Sequence, residues 1–222
     1  MNNNFFKVIF VDDDIVAVSK EHGVCVIPDR YGNEKVILHK LLQEIYGKLY
    51  IIHRLDMGTG GIILFARNEK AHKNLSLQFQ NNIVTKKYLA ITKGTFFPQS
   101  LMLPIAKGNH GKYKINFKSG KKAITSFNVI DNKNNFSLID AKLYTGRTHQ
   151  IRVHLKALKS PLYQDFLYNS PCNDKRLSLF AYKTIFFHPV TNKKIVLTAE
   201  ISLFMQGILE TLELSLKNVY QI

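Results

Sequence analysis

Apolar residues recur at two different spacings along this 222-residue chain, and the way the two alternate limits its fold more than any other feature. Lys7 to Val11 and Ile15 to Ser19 are strand-like runs separated by Asp12, Asp13 and Asp14, which turn the chain into a hairpin that Gly23 ends. From Glu34 to Tyr46 the spacing becomes helical through Ile37, Leu38, Leu41, Leu42 and Ile45, with Gly47 as the stop. Asn68 caps a second helix that runs to about Gln80. Strands are expected over Thr85 to Thr92, with Tyr88 near the middle, and over Ala123 to Ile130 and Phe136 to Leu143.

A short helix over Thr148 to Leu158 gathers Ile151, Leu155 and Leu158 on one side and leaves Arg147, Arg152 and Lys156 to other faces. Two strands, Ser178 to Phe187 and Lys194 to Ile201, and a helix over Leu203 to Leu216 close the pattern. Strands and helices mixed in this way predict an α+β fold with a largely antiparallel sheet. The length predicts one domain, or one catalytic domain made of two lobes, over residues 1–222.

Charge narrows the partner. Lys and Arg number 31 against 16 Asp and Glu, a net charge of +15, which points to a polyanion and first to nucleic acid. Between Glu69 and Asp131 there is no acid, while eleven lysines fall there, Lys86, Lys87, Lys118, Lys121 and Lys122 among them. That segment reads as a phosphate face. Phe96, Phe97 and Phe117 lie within it and could stack on bases, but such residues more often belong to a core. Cys25 and Cys172 form no C-x-x-C pair and read as reduced, packed thiols. The start has no signal-peptide pattern and no stretch approaches about 20 apolar residues, so a cytoplasmic protein with no membrane span is expected.

Several chemistries lack their ligands. His149 and His154 are five apart and His53 is remote, so no metal-binding spacing appears, and no metal site is expected. Gly58-Thr59-Gly60-Gly61 has neither a phosphate-loop lysine nor dinucleotide-cradle spacing, so no nucleotide cofactor is expected. His53-Arg54-Leu55-Asp56 superficially matches a kinase catalytic loop, but no glycine-rich cover and no D-F-G accompany it. What remains is Asp56, beside Arg54 on a Gly-rich loop feeding the buried run Ile62 to Ala66, and the cluster Gly146-Arg147-Thr148-His149-Gln150-Ile151-Arg152.

Taken together, H-R-L-D-M-G-T-G-G-I-I-L-F-A-R, K-K-Y-L-A-I-T-K-G and T-G-R-T-H-Q-I-R-V-H-L resemble, in order and spacing, the RluA-type RNA pseudouridine synthases. V-D-D-D-I-V-A-V-S-K-E-H-G near the start and L-F-A-Y-K-T-I-F-F-H-P near the end extend the similarity over nearly the whole chain. The resemblance implies a pseudouridine synthase fold, a central mixed, mostly antiparallel sheet flanked by helices with a basic active-site cleft. It implies a catalytic core without the extra N-terminal RNA-binding domain of some relatives.

By the same resemblance, Asp56 is the catalytic carboxylate, Tyr88 the tyrosine under the uracil ring and Arg152 the partner of the aspartate. Arg54 reaches into the RNA and Arg147 lies near the substrate strand; Lys86 and Lys87 are further RNA contacts expected from the acid-free segment rather than from the resemblance. The implied partner is structured ribosomal or transfer RNA and the implied reaction needs no cofactor, while the lack of an obvious coiled coil favours a monomer. Gly60, Glu21, Gln164 and Phe180 depart from residues common in the family; none is a catalytic position. Two other readings are a non-catalytic RNA-binding module, which the joint presence of Asp56, Tyr88 and Arg152 opposes, and an RNA hydrolase, which would want a ligand set the chain lacks.

Overall fold

Runs that are apolar at every position, rather than at every second one, belong to strands covered on both faces. Ile15–Val18 and Ile62–Ala66 are such runs, and both are almost wholly shielded from solvent. The computed structural model describes residues 4–28, 36–169 and 174–216. They divide into two compact units, Met1–Thr85 with Ala181–Ser202, and Lys86–Phe180 with Leu203–Ile222.

The first unit carries strands β1 (Phe6–Val11), β2 (Ile15–Lys20), β3 (Tyr50–Ile51) and β4 (Gly60–Ala66), with most of β11 (Leu179–Phe187) and all of β12 (Lys194–Thr198). Its sheet runs β1-β2-β4-β11, with β3 paired to β4 and β12 to β11. β1 with β2 and β2 with β4 are antiparallel, and Lys20 lies opposite Gly61. Gly61 has φ +107°, and a Cβ there would fall 2.2 Å from the Ala181 carbonyl oxygen, so no other residue fits. Helix α1 (Leu38–Tyr46) buries Leu38 and Leu42, and α2 (Glu69–Gln80) buries Ala71 and Leu75. Asn68 Oδ1 accepts the Ala71 N–H and caps α2 as its sequence predicts.

The second unit carries β5 (Thr85–Lys93), β6 (Gln99–Met102), β7 (Ile105–Lys107), β8 (Tyr113–Ile115), β9 (Ile124–Lys133) and β10 (Phe136–Leu143). Its main sheet runs β5-β10-β9-β6 with antiparallel pairings, and β7 and β8 form a separate hairpin. Helix α3 (Gln150–Ala157) is buried at Gln150 through Leu155, and α4 (Leu203–Thr211) buries Met205, Ile208 and Leu209. The chain is α+β, as expected.

Several expectations need adjusting. The first helix begins at Leu38, and its expected start at Glu34 lies outside the described residues. Arg152 does face away from the apolar residues of α3, but that face is covered and the side chain is only 2% exposed. Of the three phenylalanines, Phe96 is core, edge-on to Phe127, whereas Phe97 and Phe117 are 70% and 78% exposed. Cys25 is a buried, reduced thiol, while Cys172 lies outside the described residues.

Candidate active site

In the first unit the tetrad before β4 is fixed by alternate residues. His53 Nε2 accepts the Leu64 N–H and its ring stacks on Phe79 at 4.5 Å, while Leu55 is buried. Arg54 therefore points outward, exposed, and Asp56 is half-buried at the end of the loop. The carbonyls that follow are all held. Asp56 O accepts from Thr59 N, Met57 O from Gly23 N, and Gly58 O from His22 Nδ1, whose Nε2 faces Ser202 Oγ at 3.0 Å. A carboxylate on such a loop keeps its place without help from a ligand.

Lys20 adds a further clamp that sequence reasoning missed. Its side chain is fully buried at the end of β2, and Nζ donates to the carbonyls of Glu21 at 3.0 Å, Val24 at 2.8 Å and Met57 at 3.1 Å. Three acceptors match the three donors of an ammonium; a neutral amine would leave a lone pair facing a carbonyl. Burial pulls the Lys20 pKa from 10.5 down to about 7, against the opposing pull of Cys25, Asp56 and Glu21.

Between those two values the unfolded lysine holds a proton that the folded one has lost, so this group makes stability rise with pH across that window. The full effect is roughly 5 kcal/mol. Urea unfolding from pH 7 to 10 should show this rise in the wild type and a flatter profile in Lys20→Met. Parallel profiles would show that Lys20 is not titrating there.

In the second unit, Tyr88 is buried on β5 opposite Ala141 of β10. Arg152 meets Asp165 in a bidentate pair, with Nε and Nη2 donating to the two carboxylate oxygens at 2.8 Å each. Both side chains are shut off from solvent, and the guanidinium also lies 5.0 Å from the Tyr168 ring centre and 5.5 Å from that of Phe166. Asp165 Oδ1 accepts from Leu167 N and Tyr168 N too. The pair engages two of the five N–H donors of Arg152 and sets the plane of its fork.

The T-G-R-T-H-Q segment is built around Gln150. Its Oε1 accepts from Thr145 Oγ1 at 2.8 Å and Arg147 N at 2.9 Å, and its Nε2 donates to Ile124 O and Thr125 Oγ1. Arg147 stays exposed, with Nε donating to Lys122 O at 3.0 Å. Lys86 and Lys87 depart from the expected phosphate face. Lys86 is buried near Gly146, with its pKa lowered by desolvation, and the Lys87 ammonium is 3.1 Å from buried Asp140. The other nine lysines of the acid-free stretch are exposed.

Among the described residues one group has the spacing of metal ligands: Asp12, Asp14 and His188. Its hydrogen bonds give it another role. His188 Nδ1 accepts from Val190 N and Thr191 N, so a neutral ring carries its proton on Nε2, which faces Asp12 Oδ2 at 2.8 Å. Nε2 then donates and has no lone pair for an ion, and Asp14 accepts from Asn68 Nδ2. The cluster ties three turns together.

Residues 14–157 match the model of a family described as RNA pseudouridylate synthase. The chain is 33% identical over 195 residues to the dual-specificity RNA pseudouridine synthase RluA of Vibrio vulnificus, covering 82% of this chain and 78% of that one. It is 29% identical to the ribosomal large subunit pseudouridine synthase D of Zymomonas mobilis, over 96% and 74% of the two chains. The solved structure of human RNA pseudouridylate synthase domain containing 4 has the same fold, with a TM-score of 0.76, 21% identity and coverage of 93% and 92%.

Proposed function

The chain belongs to the RNA pseudouridylate synthase family and is thus an isomerase of RNA; from that premise we propose that it converts specific uridines of ribosomal or transfer RNA to pseudouridine, with Asp56 as the catalytic carboxylate. The observation that carries the reading is the Asp56 loop, an acid half-open to solvent on a backbone whose next three carbonyls are all bonded. In the reaction the bond from ribose C1′ to uracil N1 breaks, the base turns, and C1′ bonds to C5. The C5 proton leaves to solvent and N1 takes one up. No atoms or electrons are lost, so no redox partner or energy source is required.

A carboxylate is ionised at neutral pH, with a reference pKa of about 3.9, and can attack or deprotonate the flipped nucleotide. Covering it with a base would raise that pKa. In this reading Arg152 is the cation that keeps it charged, and the plane of its fork is set within its own unit by Asp165. Tyr88 stacks on the uracil and presents its hydroxyl near C5. Extruding the uridine costs a few kcal/mol, and exposed Arg54 takes the vacated space. The exposed lysines, with Arg147, hold phosphates in a salt-dependent way.

Lys20 is a positioning residue in this scheme, since its ammonium holds the carbonyl next to Asp56. With its pKa near 7, kcat at saturating RNA should fall as pH rises from 6 to 9 while stability climbs. The falling limb should be missing from Lys20→Met, and KM should follow neither change. A wild-type profile flat over that range would remove Lys20 from the mechanism.

The protein works as a monomer in the cytoplasm, without metal or nucleotide. No helix among the described residues is long and apolar enough to cross a membrane. Mapping pseudouridines in cellular RNA with and without this gene tests the function. At least one site in ribosomal or transfer RNA should revert to uridine when the gene is deleted and return with the wild-type gene. Unchanged maps would overturn the reading.

A further inference from the structure

A phenylalanine 78% exposed at the tip of a turn calls for an explanation, because polar residues satisfy turns at lower cost. Phe117 follows β8, and its turn is closed from within. Asn116 Oδ1 accepts from Lys118 N at 2.9 Å and Ser119 N at 3.1 Å, and Asn116 O accepts from Gly120 N at 2.9 Å. The turn is also fastened to the chain before β7, with Asn116 N donating to Pro104 O and Ile105 exchanging both backbone bonds with Lys121. A Cβ at Gly120 would lie 2.3 Å from Asn116 O and 2.8 Å from Pro104 C, so the backbone packs without slack. Phe117 is therefore held outward by a well-bonded turn.

The groups next to it in the chain are cations. Lys114, Lys118, Lys121 and Lys122 are all exposed, and Arg147 is joined to the same segment through its bond to Lys122 O. A partner protein burying an apolar ring would ordinarily surround it with apolar or acidic groups. A nucleotide offers what this surface lacks, a flat π face for the ring and a phosphate for the cations.

We propose that Phe117 is a stacking platform for an unpaired base of the substrate RNA other than the target uridine, with Lys118, Lys121, Lys122 and Arg147 holding the flanking phosphates. The inference rests on the RNA-modifying function proposed above and adds a single-stranded segment to what the enzyme recognises. Stacking tolerates any base, so Phe117 contributes affinity and register with little sequence preference.

The test uses the full chain and a single-stranded ten-nucleotide RNA containing 2-aminopurine, with the same sequence as a duplex for comparison. Phe117→Ala should weaken single-strand binding about fivefold or more and reduce the quenching of 2-aminopurine. Duplex affinity should be nearly unchanged. Phe117→Trp should restore both readouts, and Phe117→Leu, apolar but not flat, should not. The slope of log K against log salt should stay the same in Phe117→Ala, because no charge is lost, and should drop by about 0.7 for each contacting lysine replaced by glutamine.

Wild-type affinity and quenching in Phe117→Ala would overturn the proposal, as would full rescue by leucine. A variant that changes sedimentation from dimer to monomer while binding RNA normally would assign the ring to a protein contact instead. These readouts record binding alone. A chain that makes pseudouridine with an indifferent Phe117 fails only this inference, and one that stacks RNA on Phe117 but makes no pseudouridine fails only the proposed function.

Discussion

Replacing Asp56 by asparagine is expected to abolish pseudouridine formation while leaving RNA affinity within about threefold of the wild type. The amide has nearly the shape of the carboxylate but can neither attack carbon nor take a proton. Binding should survive because the proposed phosphate contacts, the exposed lysines and Arg147, are other groups, and because the bonds to the loop's backbone carbonyls stay in place in the variant. Single-turnover conversion of a mapped substrate, paired with a filter-binding curve, gives both numbers. Conversion at more than about a hundredth of the wild-type rate would remove Asp56 from the chemistry.

The second large effect is on stability. Removing one partner of a buried ion pair costs about 3 to 5 kcal/mol, because the remaining charge stays in a site built for two. Asp165→Ala takes away both acceptors for Nε and Nη2 of Arg152 and also the acceptor for Leu167 N and Tyr168 N. Its urea midpoint should fall accordingly, and kcat at a permissive temperature should fall with it, since the guanidinium loses its fixed plane. Asp165→Asn keeps the volume and one acceptor and should lie between the two. A loss below about 1 kcal/mol in the alanine variant would mean that other groups hold Arg152 in place.

The elements that were legible in the sequence are those long enough to show a period. β1, β2, α2, β5, β9 and β10 appear close to where apolar spacing puts them, and Asn68 announces its helix by its cap. β3, β6, β7 and β8 were not foreseen. They are two to four residues long, and the last two lie among lysines and glycines where no alternation can develop. Their hydrogen bonds come from partner strands, which local sequence does not record.

The same limit applies to charged side chains. A lysine ending a strand reads as solvated, and Lys20 is buried only because Val24 and Met57, the latter 37 positions away, bring carbonyls to it. Lys86 and Lys87 are neighbours on a strand and must point to opposite faces, so the burial of Lys86 and the 12% exposure of the Lys87 side chain show that β5 is largely covered on each side at that point. Helical spacing put Arg152 off the apolar face, but it could not foresee Asp165, 13 positions on, closing over that side. Residue type favoured the core for Phe96, Phe97 and Phe117 alike, and only their tertiary surroundings separate them.

The measurement closest to the central claim follows the hydrogen on C5. RNA transcribed with [5-³H]uridine loses tritium to water only where C5 becomes bonded to ribose, so release counts isomerisation directly. Purified wild-type protein, with excess EDTA and no added nucleotide, should release tritium from ribosomal or transfer RNA up to a plateau of one tritium per modified site, and the Asp56→Asn protein should release none. Binding of these RNAs without release by the wild type, or equal release by both proteins, would contradict the account.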